Sequence, residues 1–227
     1  HADVLPFVQG RNEQALGHLA TGFAKASKRR QTLAVTASVG PGATNLVTAA
    51  ALATVNRIPL LLLPGDTYAT RRQGPVLQQL DLPGTPDVTA NDAFRPVSRF
   101  FDRITRPEQL LTALPQAFRV LANPEETGAV VLALPQSHAY DYPVELFAER
   151  DWVIRRRVPD ATEISSIAAL IRSAERPLVI AGGGVIYSDA QQTLTELGRQ
   201  TGLPISETFA GKGAVTEDGP WSVFGIG

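Results

Sequence analysis

The chain has 227 residues, 44% of them hydrophobic, and 21 Lys and Arg stand against 22 Asp and Glu for a formal charge of -1. That length can bury a sizeable core, while the balanced charge gives no basic field for nucleic acid and no polybasic patch for an anionic membrane. With no cysteine, disulfides, zinc-thiolate sites and cysteine nucleophiles are excluded, and a cytoplasmic setting is expected. Methionine is also absent, position 1 included, so the chain is expected to be a portion of a longer protein. The longest apolar run, residues 59–64, is far short of the roughly 20 residues that span a bilayer, and no signal-peptide pattern opens the chain.

In chain order, residues 4–8 read as a short strand. Ala15, Leu16, Leu19, Ala20, Phe23 and Ala24 then recur at helical spacing, which places Glu13 near the start of a helix closing around residues 28–30. Residues 32–36 are β-branched and apolar enough for a buried strand. Gly40-Pro41-Gly42-Ala43-Thr44-Asn45 follows, leading into an alanine-rich helix that runs to Val55. Residues 58–63 form the next strand, ending at Pro64-Gly65-Asp66, and residues 67–91 read as a long loop rich in Gly, Pro and Gln. A short strand is expected over 97–101, a helix from Pro107 carrying Leu110, Leu111, Leu114 and Phe118, and a β-rich run over 128–134.

Polar sequence over 138–160, with the cluster Arg155-Arg156-Arg157, reads as a solvated linker. A second α/β pattern follows: a helix over 162–173, a strand at 177–181, glycines at 182–184, a helix over 189–201 and a strand at 203–206. The fold class is therefore α/β, with two Rossmann-like domains and mainly parallel sheets, at 1–137 and 161–227.

The glycine-rich segment 40–45 lies between a strand and a helix, where glycines let a ligand approach the backbone and a helix N-terminus offers unpaired N–H groups. A tight structural turn capped by Thr44 or Asn45 explains the same residues, and no Lys-Ser or Lys-Thr completes a phosphate loop. Gly182-Gly183-Gly184 lacks G-x-G-x-x-G spacing and reads as a structural turn. Glu13 complements a helix dipole, His18 and His138 carry no assigned role, and Asp66, Asp81, Asp87 and Asp92 read as turn formers. No metal-spaced cluster and no Gly-x-Ser-x-Gly elbow occurs.

Three ordered segments decide between these readings: Arg11-Asn12-Glu13-Gln14-Ala15, then residues 35–45, then residues 59–66. Together they resemble the pyrimidine-binding domain of thiamine-diphosphate enzymes related to acetohydroxyacid synthase, and the later segment resembles that family's central domain. Asn56-Arg57-Ile58-Pro59, Pro75-Val76-Leu77-Gln78-Gln79, residues 91–98 and residues 101–110 resemble the branch that hydrolytically opens trihydroxycyclohexanedione rings in myo-inositol breakdown. In the synthases, the positions of Arg95 and Asn12 are usually glutamine and histidine.

The resemblance implies that Glu13 is the acid that hydrogen-bonds the cofactor's aminopyrimidine nitrogen. A carboxyl group shielded by apolar neighbours, with a raised pKa, would favour the imino tautomer that activates the thiazolium carbon. It further implies that Gly40, Pro41, Gly42 and Asn45 bind cofactor and that Gln78, Phe94 and Arg95 face a cyclic polyol-dione substrate. Thiamine diphosphate and Mg2+ are the expected cofactors, and a homodimer or homotetramer the expected assembly. The family's Gly-Asp-Gly element for the diphosphate and its magnesium has no counterpart here, so no metal ligand is assigned. The first strand and helix of the pyrimidine domain and the whole diphosphate-binding domain are expected to be missing, and residues 1–227 alone are expected to be inactive. A synthase-like carboligase, with FAD in the central domain, and a non-catalytic α/β assembly module are the alternatives.

Overall fold

The computed structural model describes residues 5–70, 77–80, 84–85, 87–135 and 150–226. The chain divides into two compact units, residues 1–156 and 157–227. The first holds a fully parallel sheet in the order β1-β2-β4-β3, formed by Ala34–Ala37, Leu60–Asp66, Phe100–Arg103 and Ala129–Pro135 taken in chain order as β1 to β4.

Strand side chains alternate faces, and the sheet uses both. Leu60 and Leu62 of β2, with Ala129 and Val131 of β4, join one apolar cluster with helices α1 (Glu13–Ala26) and α3 (Val47–Val55). The intervening Leu61, Leu63, Val130 and Leu132 point to the other face, against α4 (Leu110–Ala122). This is why β2 and β4 read as continuous apolar runs instead of alternating ones. Truncating a fully buried leucine such as Leu62 to alanine is expected to cost about 2–5 kcal/mol. Alanines at positions 49, 50 and 53 keep α3 thin enough to sit close to the sheet, and Gly17 lets α1 cross it: a Cβ there would lie 2.5 Å from that of Ala49.

Parallel strands put all their C-terminal ends on one edge. The turn from β1 into helix α2 (Pro41–Asn45), the Asp66 end of β2 and the N-terminus of α1 gather there, the edge at which open α/β sheets bind ligands. α1 begins where the sequence places it. Asn12, with φ of -150°, caps it by accepting a hydrogen bond from the Ala15 N–H at 2.9 Å, which fixes Glu13 as the first helical residue.

Several elements differ from expectation. Residues 5–8 form no strand; Leu5, Phe7 and Val8 are all exposed, because no neighbouring strand among the described residues supplies hydrogen bonds or apolar cover. The loop after Asp66 ends early, at a 3-10 helix over Ala90–Val97. Its start carries a Thr89/Asp92 capping box, a [ST]-x-x-[DE] pattern visible in the sequence. The following strand, β3, is displaced to Phe100–Arg103. Trp152 stacks on Phe118 with ring centroids 5.8 Å apart, and an Arg156 guanidinium N–H donates to the Lys28 carbonyl at 3.3 Å, so this part of the expected linker packs on the first unit. Its residues 138–149 lie outside the described ones.

The second unit is built on the parallel sheet β5-β6-β7, with β5 at Val179–Ala181, β6 at Ile205–Thr208 and β7 at Ser222–Ile226. Helices α5 (Ala161–Ser173), α6 (Gly183–Tyr187) and α7 (Gln191–Thr201) accompany it. Its core is small, centred on Ala181, Ile205 and Ala214 with Trp221 packed against them. Gly198 is required there, since a Cβ would collide with the Trp221 ring. α6 and β7 have no counterpart in the sequence reading. β7 is largely exposed and interrupted by glycine, so neither apolar periodicity nor β-propensity marks it. Both sheets belong to the α/β class the pattern predicts.

Candidate functional site

The segment joining β1 to the next helix, α2 (Pro41–Asn45), makes a sharp turn at Gly40. Gly40 has φ of 71° and ψ of -122°, a backbone conformation natural only to glycine, and a Cβ there would collide with the Gln78 carbonyl oxygen. The turn and the segment at 77–80 therefore lie against each other. Ser38 Oγ donates to Gln78 Oε1 at 2.7 Å and locks the contact, although Gln78 itself holds a left-handed φ of 65°.

α2 brings the glycine turn to Glu13. Gly42 and Asn45 are three residues apart and so share a helix face. Asn45 Nδ2 donates to Glu13 Oε2 at 2.9 Å. On the same face Gly42 is buried against Ser38 and Glu13: a Cβ there would stand 2.7 Å from Ser38 Oγ and 3.4 Å from Glu13 Oε1, so glycine lets the helix backbone come this close to the second carboxylate oxygen. Glu13 and Asn45 are both half-buried. Glu13, Gly40, Gly42, Asn45 and Gln78 are thus brought together, with Pro41 exposed at the first position of α2. Ser38, which the sequence reading quoted only as part of a motif, belongs to the same group.

The electrostatics of Glu13 correct one expectation. Its carboxyl group is held below the usual glutamate range, first by the hydrogen bond from Asn45 and second by its own backbone N–H at the helix start. Desolvation, which would raise it, is the smallest influence. The apolar shield expected to raise this pKa is not supplied by the chain's described residues.

Phe94 is the second correction. Expected to face substrate, it is fully buried in the apolar cluster beneath the 3-10 helix, because it occupies the inward position of that turn. Arg95, next to it, is exposed; its Nε donates to Asp92 Oδ1 at 2.7 Å, and its guanidinium lies 4.5 Å from the Phe101 ring centroid.

Asp66 and Asp92, read as turn formers, instead belong to one ionic network. Arg103 Nε donates to Asp66 Oδ2 at 2.7 Å, and Arg103 Nη2 donates to Asp92 Oδ2 and to Thr89 Oγ1, both at 2.8 Å. Asp66 is 1% exposed, and this guanidinium and the Thr67 N–H supply the partners its buried carboxyl group needs. Partial burial works to raise the Asp92 carboxyl group, but donation from Arg95, the Thr89 N–H and Arg103 outweighs it and holds the group below the usual range. The Asp87 carbonyl accepts from Arg103 Nη1 at 3.3 Å. Asp81 and His138 lie outside the described residues, and His18 meets Gln14 at 3.2 Å on α1.

Among the described residues no group of three His, Asp or Glu side chains could hold a metal ion. No helix there is long and apolar enough to cross a membrane. A groove of about 150 Å3 opens beside Thr32 and Pro59, which precede β1 and β2, with Phe118, Leu121 and Trp152 on its walls. It lies at the opposite edge of the sheet from Glu13 and contains no acid.

Comparison with known proteins fits this geometry. Residues 1–85 match the thiamine pyrophosphate enzyme N-terminal TPP binding domain, and residues 164–227 match the thiamine pyrophosphate enzyme central domain. A 3D-(3,5/4)-trihydroxycyclohexane-1,2-dione hydrolase of Clostridium perfringens is 49% identical over 226 residues, covering 98% of this chain and 35% of that protein. Proteins of the same name from Geobacillus thermodenitrificans and Bacillus thuringiensis are 48% and 45% identical, over 98% and 100% of this chain and 35% and 36% of theirs. The chain spans about a third of the length of these relatives.

Proposed function

Because the chain belongs to the thiamine pyrophosphate enzymes, with their N-terminal binding domain and central domain, we propose that it forms the pyrimidine-holding half of an active site for hydrolytic opening of a trihydroxycyclohexanedione ring. The observation that carries this reading is the meeting of Glu13, Gly42 and Asn45 at the C-terminal edge of the parallel sheet. A carboxylate, an amide donor and a side-chain-free helix face suit a flat heterocycle that needs one acidic partner and close backbone approach.

When bound, thiamine diphosphate supplies a carbon nucleophile and an electron sink for carbon–carbon cleavage. The chain's own residues orient it. Glu13 shares a proton with a ring nitrogen, and Gly40, Pro41 and Gly42 leave room for the ring face. Loss of water from the Glu13 carboxylate on cofactor binding would work against Asn45 and bring its proton affinity upward. Gln78 and the exposed Arg95 offer hydrogen-bond donors to a polyhydroxylated dione, and both are exposed in this chain.

Magnesium and the diphosphate are assigned to a domain outside these residues, and a second subunit of a homodimer or homotetramer is assigned the other half of the site. A reducing cytoplasm suits a sequence without cysteine. In the full-length protein, the cyclic dione should be consumed only when thiamine diphosphate and Mg2+ are both present. Activity on pyruvate with none on the dione would sink the proposal. Glu13→Gln should abolish exchange of the cofactor's C2 proton, and an unchanged exchange rate would remove Glu13 from its role.

A further inference from the structure

Resting on that reading of Glu13, we infer that Asn45 is the positioning residue of the Glu13 carboxyl group: it ties down Oε2 and leaves Oε1 as the oxygen that shares a proton with the cofactor ring.

The two carboxylate oxygens stand in different surroundings. Oε2 accepts from Asn45 Nδ2 at 2.9 Å, whereas Oε1 accepts from no side chain among the described residues and faces the backbone of Gly42, whose Cβ would stand 3.4 Å from it. One turn of one helix makes both contacts, since Gly42 and Asn45 are spaced i, i+3 on α2. The arrangement therefore gives one oxygen a side-chain donor and leaves the other without one. An ionised carboxylate only accepts hydrogen bonds, so the amide must turn its nitrogen toward Glu13.

An amide suits this task better than a charged partner. A guanidinium in its place would neutralise the carboxylate, as Arg103 does for Asp66. A neutral donor fixes orientation while leaving the negative charge available for a ring nitrogen. Among the described residues, little else there competes. Of the elements packed on α1, neither β1, α2 nor α3 carries a titratable side chain, and β2 contributes only Asp66, which Arg103 already occupies. The charged or titratable neighbours along the chain are Arg11 before the helix and His18 on it, and His18 meets Gln14. Loss of Asn45 should accordingly move the Glu13 titration upward and let the carboxyl group rotate out of its present orientation against α2.

The test uses the full-length protein with 13C-labelled glutamate. The Glu13 carbon signal is identified by its loss in Glu13→Gln, and the carboxyl group is titrated without cofactor. In Asn45→Ala the titration midpoint should rise, and C2 proton exchange of bound thiamine diphosphate should slow by about 10- to 100-fold. In Asn45→Asp, two carboxylates at hydrogen-bond distance must share a proton, so the midpoint should rise further. Because Asp nearly matches Asn in shape, that variant carries the same test if Asn45→Ala does not fold. An unmoved midpoint, or exchange at the wild-type rate, would overturn the inference. A shifted midpoint together with normal exchange in Glu13→Gln would instead leave the Asn45 contact standing and bring down the cofactor reading.

Discussion

Two carboxylates at the same edge of the first sheet, Glu13 and Asp66, are treated by the fold in opposite ways. Asp66 is buried and closed by the Arg103 guanidinium at 2.7 Å; Glu13 is half-buried and faces a neutral amide at 2.9 Å, with its other oxygen beside the Gly42 backbone. The pairing at Asp66 consumes its charge in joining β2 to β3 and to the 3-10 helix. The contact at Glu13 orients a charge without cancelling it. Partner chemistry, more than burial alone, separates a carboxylate that holds structure from one available for chemistry.

The contrast can be broken at several points, and the largest effect is expected at Arg103. Arg103→Leu removes the partner of a buried charge and should destabilise the protein by about 3 kcal/mol or more, read as a lower thermal unfolding temperature. A loss below about 1 kcal/mol would mean that water replaces the guanidinium and that the network is not structural.

Gly40→Ala comes next. A side chain in that backbone conformation should cost about 1–3 kcal/mol, and it also drives the 77–80 segment away from the turn. Faster proteolysis within 77–80, alongside the lost stability, is the expected readout.

Asp92→Asn should cost about 1 kcal/mol and should also change the response to acid. In the folded protein the Asp92 carboxyl group is held low, so its stabilisation is complete above the unfolded value of about 3.9 and fades as the pH falls toward the folded value. Stability measured against pH should therefore fall less steeply below about pH 4 in the variant than in the parent protein.

The smallest change in stability is expected for Glu13→Gln, within about 0.5 kcal/mol, even though the same substitution should abolish C2 exchange. Equal destabilisation by Glu13→Gln and Arg103→Leu would erase the distinction between the two carboxylates.

Much of this was legible in the chain itself. Local periodicity placed α1 with Glu13 at its start, an apolar run marked β2 as a strand and β4 as a β-rich run, and the alternation of strands and helices gave a mainly parallel sheet. Apolar residues at 5–8 misled, because β-propensity states what a segment can do and not whether a partner strand is beside it. β7 escaped for the reverse reason: its pairing with β6 is set by backbone hydrogen bonds that exposed side chains do not announce.

The α/β class, the helix-start position of Glu13 and the glycine turn could be read from the chain, since each depends on residues close together in it. What surrounds them follows from packing across the fold. Asn45 lies 32 positions from Glu13, and Arg103 37 from Asp66; no local pattern predicts which donor meets which acid. Phe94 was misjudged for the same reason, as its inward position follows from how its turn packs on α3. The charge state of Glu13 likewise follows from a contact across the fold, because a carboxylate's proton affinity answers to its spatial neighbours and not to its neighbours in sequence.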